Sequence, residues 1–187
     1  MKKVTSHNLE ETEKIAREWL EEISAKHFNI NNSAGENVMS KDEVPTTPKA
    51  LIVGLSGHLG AGKTAFVKMV AKALGIRETV TSPTFVIMKN YGVNTNLEQG
   101  ENSERVSDPD NLGKDQIKSK IKNWQTLVHI DLYRLEKPEE IKALNLEKVI
   151  SDPKNLIMIE WPENVGLKTD IQINFKALGQ TRVTLAF

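Results

Sequence analysis

Charged and apolar residues near the start of the chain repeat with the period of an α-helix. One face consists of apolar and small side chains, namely Leu9, Thr12, Ile15, Ala16, Trp19, Leu20 and Ile23. Charged residues such as Glu10 and Arg17 occupy the opposite face. Asn8, with Glu11 three residues later, has the spacing of a helix N-cap. The pattern predicts an amphipathic helix that packs its apolar face on the rest of the domain.

A strand, a loop and a second helix are predicted further along the chain. Residues 50–55 form a continuous apolar run, which is typical of a short strand buried on both faces of a sheet. After a glycine-rich segment, helical spacing returns in Phe66, Val67, Val70, Ala71 and Leu74. Gly75 stands where this helix is expected to end.

Other apolar stretches complete a predicted sheet. Residues 85–88 and 127–130 form a hairpin if they pair with each other, and another apolar run ends at Ile159. Residues 171–175 and 182–185 alternate in polarity on either side of Gly179, which is the pattern of an antiparallel hairpin. We therefore expect an α/β fold with a mixed β-sheet flanked by helices and an antiparallel C-terminal hairpin.

Two polar segments interrupt these elements. Residues 29–49 have no apolar periodicity and are expected to form a flexible connector. Residues 94–122 form a polar insert, which would lie at the tip of the hairpin. The insert carries Lys114, Lys118, Lys120 and Lys122 at partly helical spacing. A short solvated helix is the favoured interpretation, and a basic patch that faces tRNA is the alternative.

Composition places the chain in a broad class. Its 187 residues suit one domain, covering residues 1–187. The charges of the 25 basic and 25 acidic residues cancel. The chain therefore lacks the net positive charge expected of a protein that binds nucleic acid without a partner. The absence of cysteine excludes disulfides and thiolate chemistry. Since no signal peptide or membrane span is evident, we expect a cytoplasmic protein with no membrane association.

The glycine-rich segment between the strand and the helix adds specific chemistry. It fits the phosphate-binding pattern G-x-x-x-x-G-K-[ST] at every fixed position, with Gly57, His58, Leu59, Gly60, Ala61, Gly62, Lys63 and Thr64. Glycines let successive backbone N–H groups point at anionic oxygens. Lys63 adds a positive charge, Thr64 offers a hydroxyl to a metal, and the following helix adds its dipole. The motif predicts a nucleoside triphosphate with magnesium; the alternative is a plain glycine-rich turn.

Two acidic residues follow apolar runs and are candidates for the same site. Asp131 comes after Ile130, and Glu160 comes after Ile159. Ligands of open α/β sheets bind at the carboxyl ends of strands. A carboxylate there can ligate magnesium, hold a ligating water or orient the attacking water. Residues 82–85 read Ser-Pro-Thr-Phe, a rigid corner that either presents Thr84 to the γ-phosphate or is only a turn.

These segments, taken in order, resemble one family. The loop at 57–64, Ser-Pro-Thr-Phe at 82–85, His-Ile-Asp-Leu-Tyr-Arg-Leu at 129–135, Pro-Glu-Glu at 138–140 and Glu-Trp at 160–161 are similar to the bacterial TsaE family of ATPases. That family takes part in making N6-threonylcarbamoyladenosine in tRNA. The resemblance implies a small P-loop NTPase-like fold that binds ATP and Mg²⁺, hydrolyses ATP slowly and works with TsaB and TsaD. It implies contact with tRNA only through that complex.

The resemblance also implies roles for individual residues. The loop holds the phosphates, Thr64 and Glu160 are magnesium ligands, and Asp131 is the acid required for hydrolysis beside the metal. Thr84 is similar to a switch residue. Trp161 is similar to the aromatic beside the metal acid, and Thr12 to a position that contacts the nucleotide. These roles predict phosphoryl transfer to water, catalysed by Lys63, Asp131, Thr84 and Glu160 through positioning and charge neutralisation.

The sequence departs from the family pattern in the loop. His58 stands where an acid is usual in the family, and we expect this departure to bear on partner contact or ATPase rate. Ala65 stands where a second threonine is usual. Two other functions remain open at this point. A small-molecule kinase would need a second substrate pocket and a lid with arginines, but the insert at 94–122 contains only Arg105. A non-catalytic module would use ATP merely to order a binding surface.

Overall fold

The computed structural model describes residues 3–33, 48–93, 121, 123–177 and 183–186. Within these residues the backbone forms one seven-stranded sheet with the order β1-β7-β6-β2-β5-β4-β3. The strands are β1 (Lys3–Ser6), β2 (Leu51–Ser56), β3 (Met88–Gly92), β4 (Thr126–Asp131), β5 (Asn155–Glu160), β6 (Ile171–Ala177) and β7 (Val183–Ala186).

The sheet is parallel at its centre and antiparallel at both edges. Strand β2 lies between β5 and β6, and it is parallel to both. Strand β4 continues the parallel part beside β5, while β3 pairs antiparallel with β4. Strands β6 and β7 form the expected antiparallel C-terminal hairpin, and β1 adds to its far edge. The predicted mixed sheet is confirmed; Gly179, the expected turn residue, lies outside the described residues.

Two long helices cover one face of the sheet. Helix α1 spans Leu9–Ser33, and helix α2 spans Lys63–Ala73. Asn8 caps α1 as predicted, because its Oδ1 accepts a 2.8 Å hydrogen bond from the backbone N–H of Glu11. Gly75 follows the end of α2 with a left-handed φ of 77°, the conformation that glycine adopts most easily after a helix. Within the described residues, neither α1 nor any other helix has the apolar span needed to cross a membrane.

Shorter helices lie on the other face. They are the 3-10 helix Pro138–Leu144, helix α3 at Leu146–Ile150 and the 3-10 helix Pro162–Val165. Strand β5 shows how the sheet buries side chains on both sides. Leu156 and Met158 belong to the core beneath α1 and α2, while Ile157 and Ile159 belong to the opposite core. Burial on both faces explains the continuous apolar runs within β2 and β5.

Three expectations about local structure are corrected. Helix α1 continues to Ser33, so the connector expected from residue 29 does not begin there. The ring of His27 stacks on that of Trp124, with centroids 4.9 Å apart, and the ring of Phe28 meets Trp124 edge to face at 4.7 Å. These contacts anchor the later part of the helix. Leu9 is exposed although it was assigned to the buried face.

The third correction concerns the hairpin with β4. Its first strand begins at Met88, not at residue 85. The carbonyl of Pro83 accepts hydrogen bonds from the backbone N–H groups of Val86 and Ile87, which forms a turn in place of a strand. The predicted pairing itself is present, with Met88 opposite Ile130. Apart from the buried Ile121, the insert expected at 94–122 lies outside the described residues, as do its four lysines and residues 34–47 of the connector.

Candidate nucleotide-binding site

The parallel strands bring the predicted site residues to one edge of the sheet. Strand β2 runs into the glycine-rich loop, and its neighbour β5 ends at Glu160. Asp131, the last residue of β4, lies directly opposite Glu160 in the strand register. Lys63, Asp131 and Glu160 are only 4%, 4% and 3% exposed. Such burial of charged side chains requires compensating partners, which the following contacts supply.

The loop curls because its glycines adopt conformations that other residues avoid. Gly57, Gly60 and Gly62 have φ angles of 140°, 77° and 98°. A Cβ added at Gly57 would lie 3.0 Å from the Cβ of Phe175 on β6, so this position also lacks room for a side chain. Ala61 donates its backbone N–H to the carbonyl of His58 at 3.1 Å, which closes a turn within the loop. These constraints explain the glycines of the motif.

Lys63 begins helix α2 and reaches back over the loop. Its Nζ donates hydrogen bonds to the carbonyls of Gly57 at 2.6 Å and His58 at 3.1 Å. The same Nζ lies 3.8 Å from the centroid of the Trp161 ring, in a cation–π contact. Burial lowers the pKa of Lys63, while the negative charges of Glu160, Glu163 and Asp131 oppose that shift. The two hydrogen bonds and the contact with Trp161 thus hold the ammonium group beside the loop.

Thr64 and Glu160 meet at the base of the loop. The Thr64 hydroxyl donates a 2.7 Å hydrogen bond to Glu160 Oε1. Within the described ranges, no three His, Asp or Glu side chains gather into a metal cage. Magnesium rarely uses such cages, since it favours one or two carboxylates together with phosphate oxygens and water. A hydroxyl next to a carboxylate at a phosphate loop is a donor set that fits this ion.

Asp131 accepts hydrogen bonds from the predicted switch corner. Its Oδ2 accepts one from Thr84 Oγ1 at 2.5 Å and one from Ser82 Oγ at 2.8 Å. Its Oδ1 accepts the backbone N–H of Tyr133 at 3.0 Å. Thr84 therefore lies at the acid that was expected to act with it. The corner at 82–85 is both a turn and part of the candidate site.

Trp161 joins the two central strands of the site. Its backbone N–H donates a 3.1 Å hydrogen bond to the carbonyl of Leu55 on β2. Its φ of 60° is unusual for a residue other than glycine, and such strain occurs frequently at functional sites. The ring lies 5.4 Å from that of Tyr133. Trp161 thus turns the chain sharply after Glu160 and presents its ring to Lys63.

Two other predicted positions lie in different surroundings. Thr12 Oγ1 donates to the carbonyl of Asn8 at 2.9 Å and lies 2.6 Å from Ser6 Oγ, at the start of α1. Its contact with a nucleotide stays a prediction. Arg134, which belongs to the motif at 129–135, lies over the exposed ring of Phe85, with its guanidinium carbon 4.3 Å from the ring centroid. His58 and Leu59 are exposed at the top of the loop.

Two residues of this candidate site were not predicted from the sequence. Ser82 shares Asp131 with Thr84, and His129 Nε2 lies 2.9 Å from Glu160 Oε1. Alternation along β4 could have revealed His129, because residues two positions apart in a strand share a face and His129 precedes Asp131 by two. Ser82 and Thr84 are the two direct neighbours of Pro83 in the sequence, and both carry a hydroxyl. This symmetry could have indicated Ser82 as well.

The sheet, the loop and the acids at the strand ends together define a P-loop protein. Comparison with known sequences narrows this class. The family model described as "Threonylcarbamoyl adenosine biosynthesis protein TsaE" matches residues 6–99 and 116–184. The chain belongs to the TsaE family.

Several curated proteins named tRNA threonylcarbamoyladenosine biosynthesis protein TsaE are similar to the chain. The Rickettsia felis protein is 33% identical over 157 residues, which are 82% of this chain and 74% of the relative. The Rickettsia conorii protein is 34% identical over 135 residues, or 70% and 59% of the two chains. The Nostoc sp. protein is 32% identical over 126 residues, or 66% and 59%. The chain thus spans less than two thirds of the length of the last two relatives.

Proposed function

We propose that the chain binds ATP with Mg²⁺ and hydrolyses the ATP to support formation of N6-threonylcarbamoyladenosine in tRNA, together with TsaB and TsaD. The observation that carries this proposal is the convergence of Lys63, Thr64, Glu160 and Asp131 beside one phosphate loop. The names of the TsaE relatives support the link to tRNA modification. A role in that process implies the cytoplasm as the compartment.

Nucleotide binding would depend on exchange of internal hydrogen bonds for contacts with phosphate. Lys63 Nζ, which donates to two loop carbonyls, would turn its donors to the β- and γ-phosphates. The backbone N–H groups of residues 57–64 and the first turn of α2 would add further donors. Thr64 and Glu160 would hold Mg²⁺. When bound, this ion would neutralise part of the negative charge on the phosphates.

Hydrolysis would require an oriented water, and Asp131 is the residue we assign to it. Its carboxylate has a fixed orientation because Ser82, Thr84 and the Tyr133 backbone all donate to it. Thr84 could exchange its bond with Asp131 for one with the γ-phosphate or the water. Arg134 is engaged with Phe85, so no arginine is assigned to the transferring phosphoryl group. A slow intrinsic rate that partners increase follows from such a site.

The tRNA would be reached through TsaB and TsaD. The chain carries equal numbers of acidic and basic residues, which gives little general attraction for a polyanion. ATP hydrolysis would reset the modifying complex between rounds, and it would not form the tRNA product itself. His58 lies exposed on the loop, where a partner could contact it.

The test is restoration of multiple-turnover tRNA modification when the purified chain is added to TsaB and TsaD. We expect the native chain to restore turnover and Asp131→Asn to bind ATP without restoring it. Full activity of Asp131→Asn would support a non-catalytic, nucleotide-dependent module. Transfer of labelled γ-phosphate to a small acceptor would support a kinase. Failure of the native chain to bind ATP would contradict the whole proposal.

A further inference from the structure

His129 is a buried polar residue at the site to which the proposed function assigns no role. It lies on β4, is 0% exposed and pairs in register with Met158 on β5. Its Nε2 lies 2.9 Å from Glu160 Oε1. A fully buried imidazole between the apolar residues Val128 and Ile130 is costly unless its hydrogen bond contributes something that an apolar side chain would not. The residue at the other end of that bond is the proposed magnesium ligand.

The two hydrogen bonds to Glu160 meet at one oxygen. Oε1 accepts the Thr64 hydroxyl at 2.7 Å and lies 2.9 Å from His129 Nε2. Oε2 takes part in neither bond. With one oxygen held from two sides, the carboxylate has little freedom to rotate, and its other oxygen remains available to a ligand.

The other ring nitrogen indicates which atom of His129 carries the proton. Nδ1 is buried and has no hydrogen-bond partner among the described residues. A buried N–H without an acceptor is more costly than a bare lone pair in an apolar pocket, so the proton belongs on Nε2. His129 then donates to Glu160, and Nδ1 is the unprotonated nitrogen. This tautomer is assigned from the hydrogen-bond network.

We propose that His129 is a positioning residue that orients Glu160 for the magnesium–nucleotide complex. The inference rests on the proposed function, because it assumes that Glu160 serves the metal. His129 does not touch the nucleotide; it acts by holding Oε1 with an N–H donor. Partners that orient a metal-binding carboxylate typically change metal affinity or activity by about 10–100-fold when they are removed.

The test compares His129→Gln with His129→Met. Glutamine keeps an N–H donor on a side chain of similar length, whereas methionine fills similar space without a donor. Binding of ADP is measured by calorimetry with Mg²⁺ and again with a chelator. The Mg²⁺-dependent gain is the ratio of the ADP affinity with Mg²⁺ to the ADP affinity with chelator. We expect this gain to be smaller by about tenfold or more in His129→Met than in the native chain. The affinity of His129→Met in the chelator should equal that of the native chain, and His129→Gln should recover most of the gain.

A second measurement is made on the native chain, and a variant serves only to assign its signals. Nitrogen NMR shifts of the imidazoles report which ring nitrogen is protonated, and His129→Gln identifies the signals of His129 among the four histidines. We expect His129 to carry its proton on Nε2. A proton on Nδ1 together with an unprotonated Nε2 would overturn the inference, because Nε2 could then not donate to Glu160.

The outcomes separate this inference from the proposed function. If the native chain shows no Mg²⁺-dependent binding, both fail. If the native chain binds but His129→Met retains the full Mg²⁺-dependent gain, only the positioning role fails. Equal losses with Mg²⁺ and with chelator, accompanied by a lower free energy of unfolding, would also overturn it, since they would indicate a packing role.

Discussion

Thr64 donates a 2.7 Å hydrogen bond to Glu160, although 96 positions separate the two residues in the chain. The bond joins the start of α2 to the end of β5. It therefore connects the phosphate loop to the neighbouring strand of the sheet. Both side chains carry oxygen atoms that can act as ligands of Mg²⁺. The contact therefore marks the position of the proposed metal site.

Removal of the Thr64 hydroxyl should weaken magnesium binding specifically. Thr64→Val keeps the branched shape of the side chain but removes the oxygen that contacts Glu160. We expect the Mg²⁺-dependent part of the ATP affinity to fall by roughly 10–100-fold, as for other losses at metal sites. Calorimetric titrations with Mg²⁺ and with a chelator measure that part. Thr64→Ser, which retains a hydroxyl, is the matched control, and equal affinities for the two variants would argue against a metal role.

Gly57 and Gly60 should respond differently to alanine. Gly57→Ala combines a φ of 140° with a Cβ that crowds Phe175, whereas a Cβ at Gly60 meets nothing within 4 Å. We expect Gly57→Ala to lower the free energy of unfolding by about 2–4 kcal/mol, from strain and overpacking together. Gly60→Ala should cost about 1 kcal/mol, from its left-handed conformation alone. Urea unfolding measures both, and the ranking is wrong if Gly60→Ala proves the more damaging.

Tryptophan fluorescence should report nucleotide binding through Trp161. Lys63 Nζ lies 3.8 Å from the centre of this ring, so movement of the ammonium group toward phosphate changes the environment of the indole. Trp19 and Trp124 are buried in the core that α1 and α2 cover. We expect Mg²⁺ and ATP to change the emission of the native chain and to have little effect on Trp161→Phe. An undiminished change in that variant would place the reporter elsewhere.

Glu13 should stabilise the packing of α1 on α2 in a pH-dependent manner. Its carboxylate lies 2.6 Å from Lys72 Nζ and 3.1 Å from Arg17 Nη2. The hydrogen bond from Lys72 is the main cause that lowers the pKa of Glu13 below its usual 4.5. Stability from a lowered pKa is fully present above the unfolded value and is lost as the pH falls through the folded value. We expect Glu13→Gln to cost about 1 kcal/mol at neutral pH and almost nothing in acid.

Glu18 offers a matched control for this prediction. It lies on the same helix in a weaker pair with Lys14, at 3.9 Å, and its side chain is 62% exposed compared with 22% for Glu13. Glu18→Gln should leave the free energy of unfolding almost unchanged at neutral pH. Chemical unfolding of both variants at several pH values tests the difference. A constant cost of Glu13→Gln from neutral to acidic pH would contradict the electrostatic explanation.

The central layers of the fold follow from the sequence because both faces of the sheet are buried. The continuous apolar run of β2 and the helical spacing of α2 predict those elements near their actual bounds. The loop motif and the acids that follow apolar runs predict the edge of the sheet at which the candidate site lies. Each of these patterns lies within a short segment of the sequence, and the tertiary structure favours the same local conformation that the pattern predicts.

The remaining features depend on tertiary contacts that local patterns do not report. The polar end of α1 lacks apolar periodicity, but the ring contacts of His27 and Phe28 with Trp124 support the helix there. At residues 85–87, hydrogen bonds to the Pro83 carbonyl outweigh a strong strand propensity. His129 looks like one more strand residue until the register of β4 and β5 brings it to Glu160.

A crystal structure of the chain with Mg²⁺ and a nonhydrolysable ATP analogue would show whether the loop binds the triphosphate and whether Thr64 and Glu160 bind the metal. We expect the triphosphate to lie in the loop at residues 57–64, with Lys63 turned from the loop carbonyls to the phosphates. The metal should lie beside Thr64 and Glu160. An empty loop in a crystal grown with saturating analogue, or a metal held away from Glu160, would contradict the account.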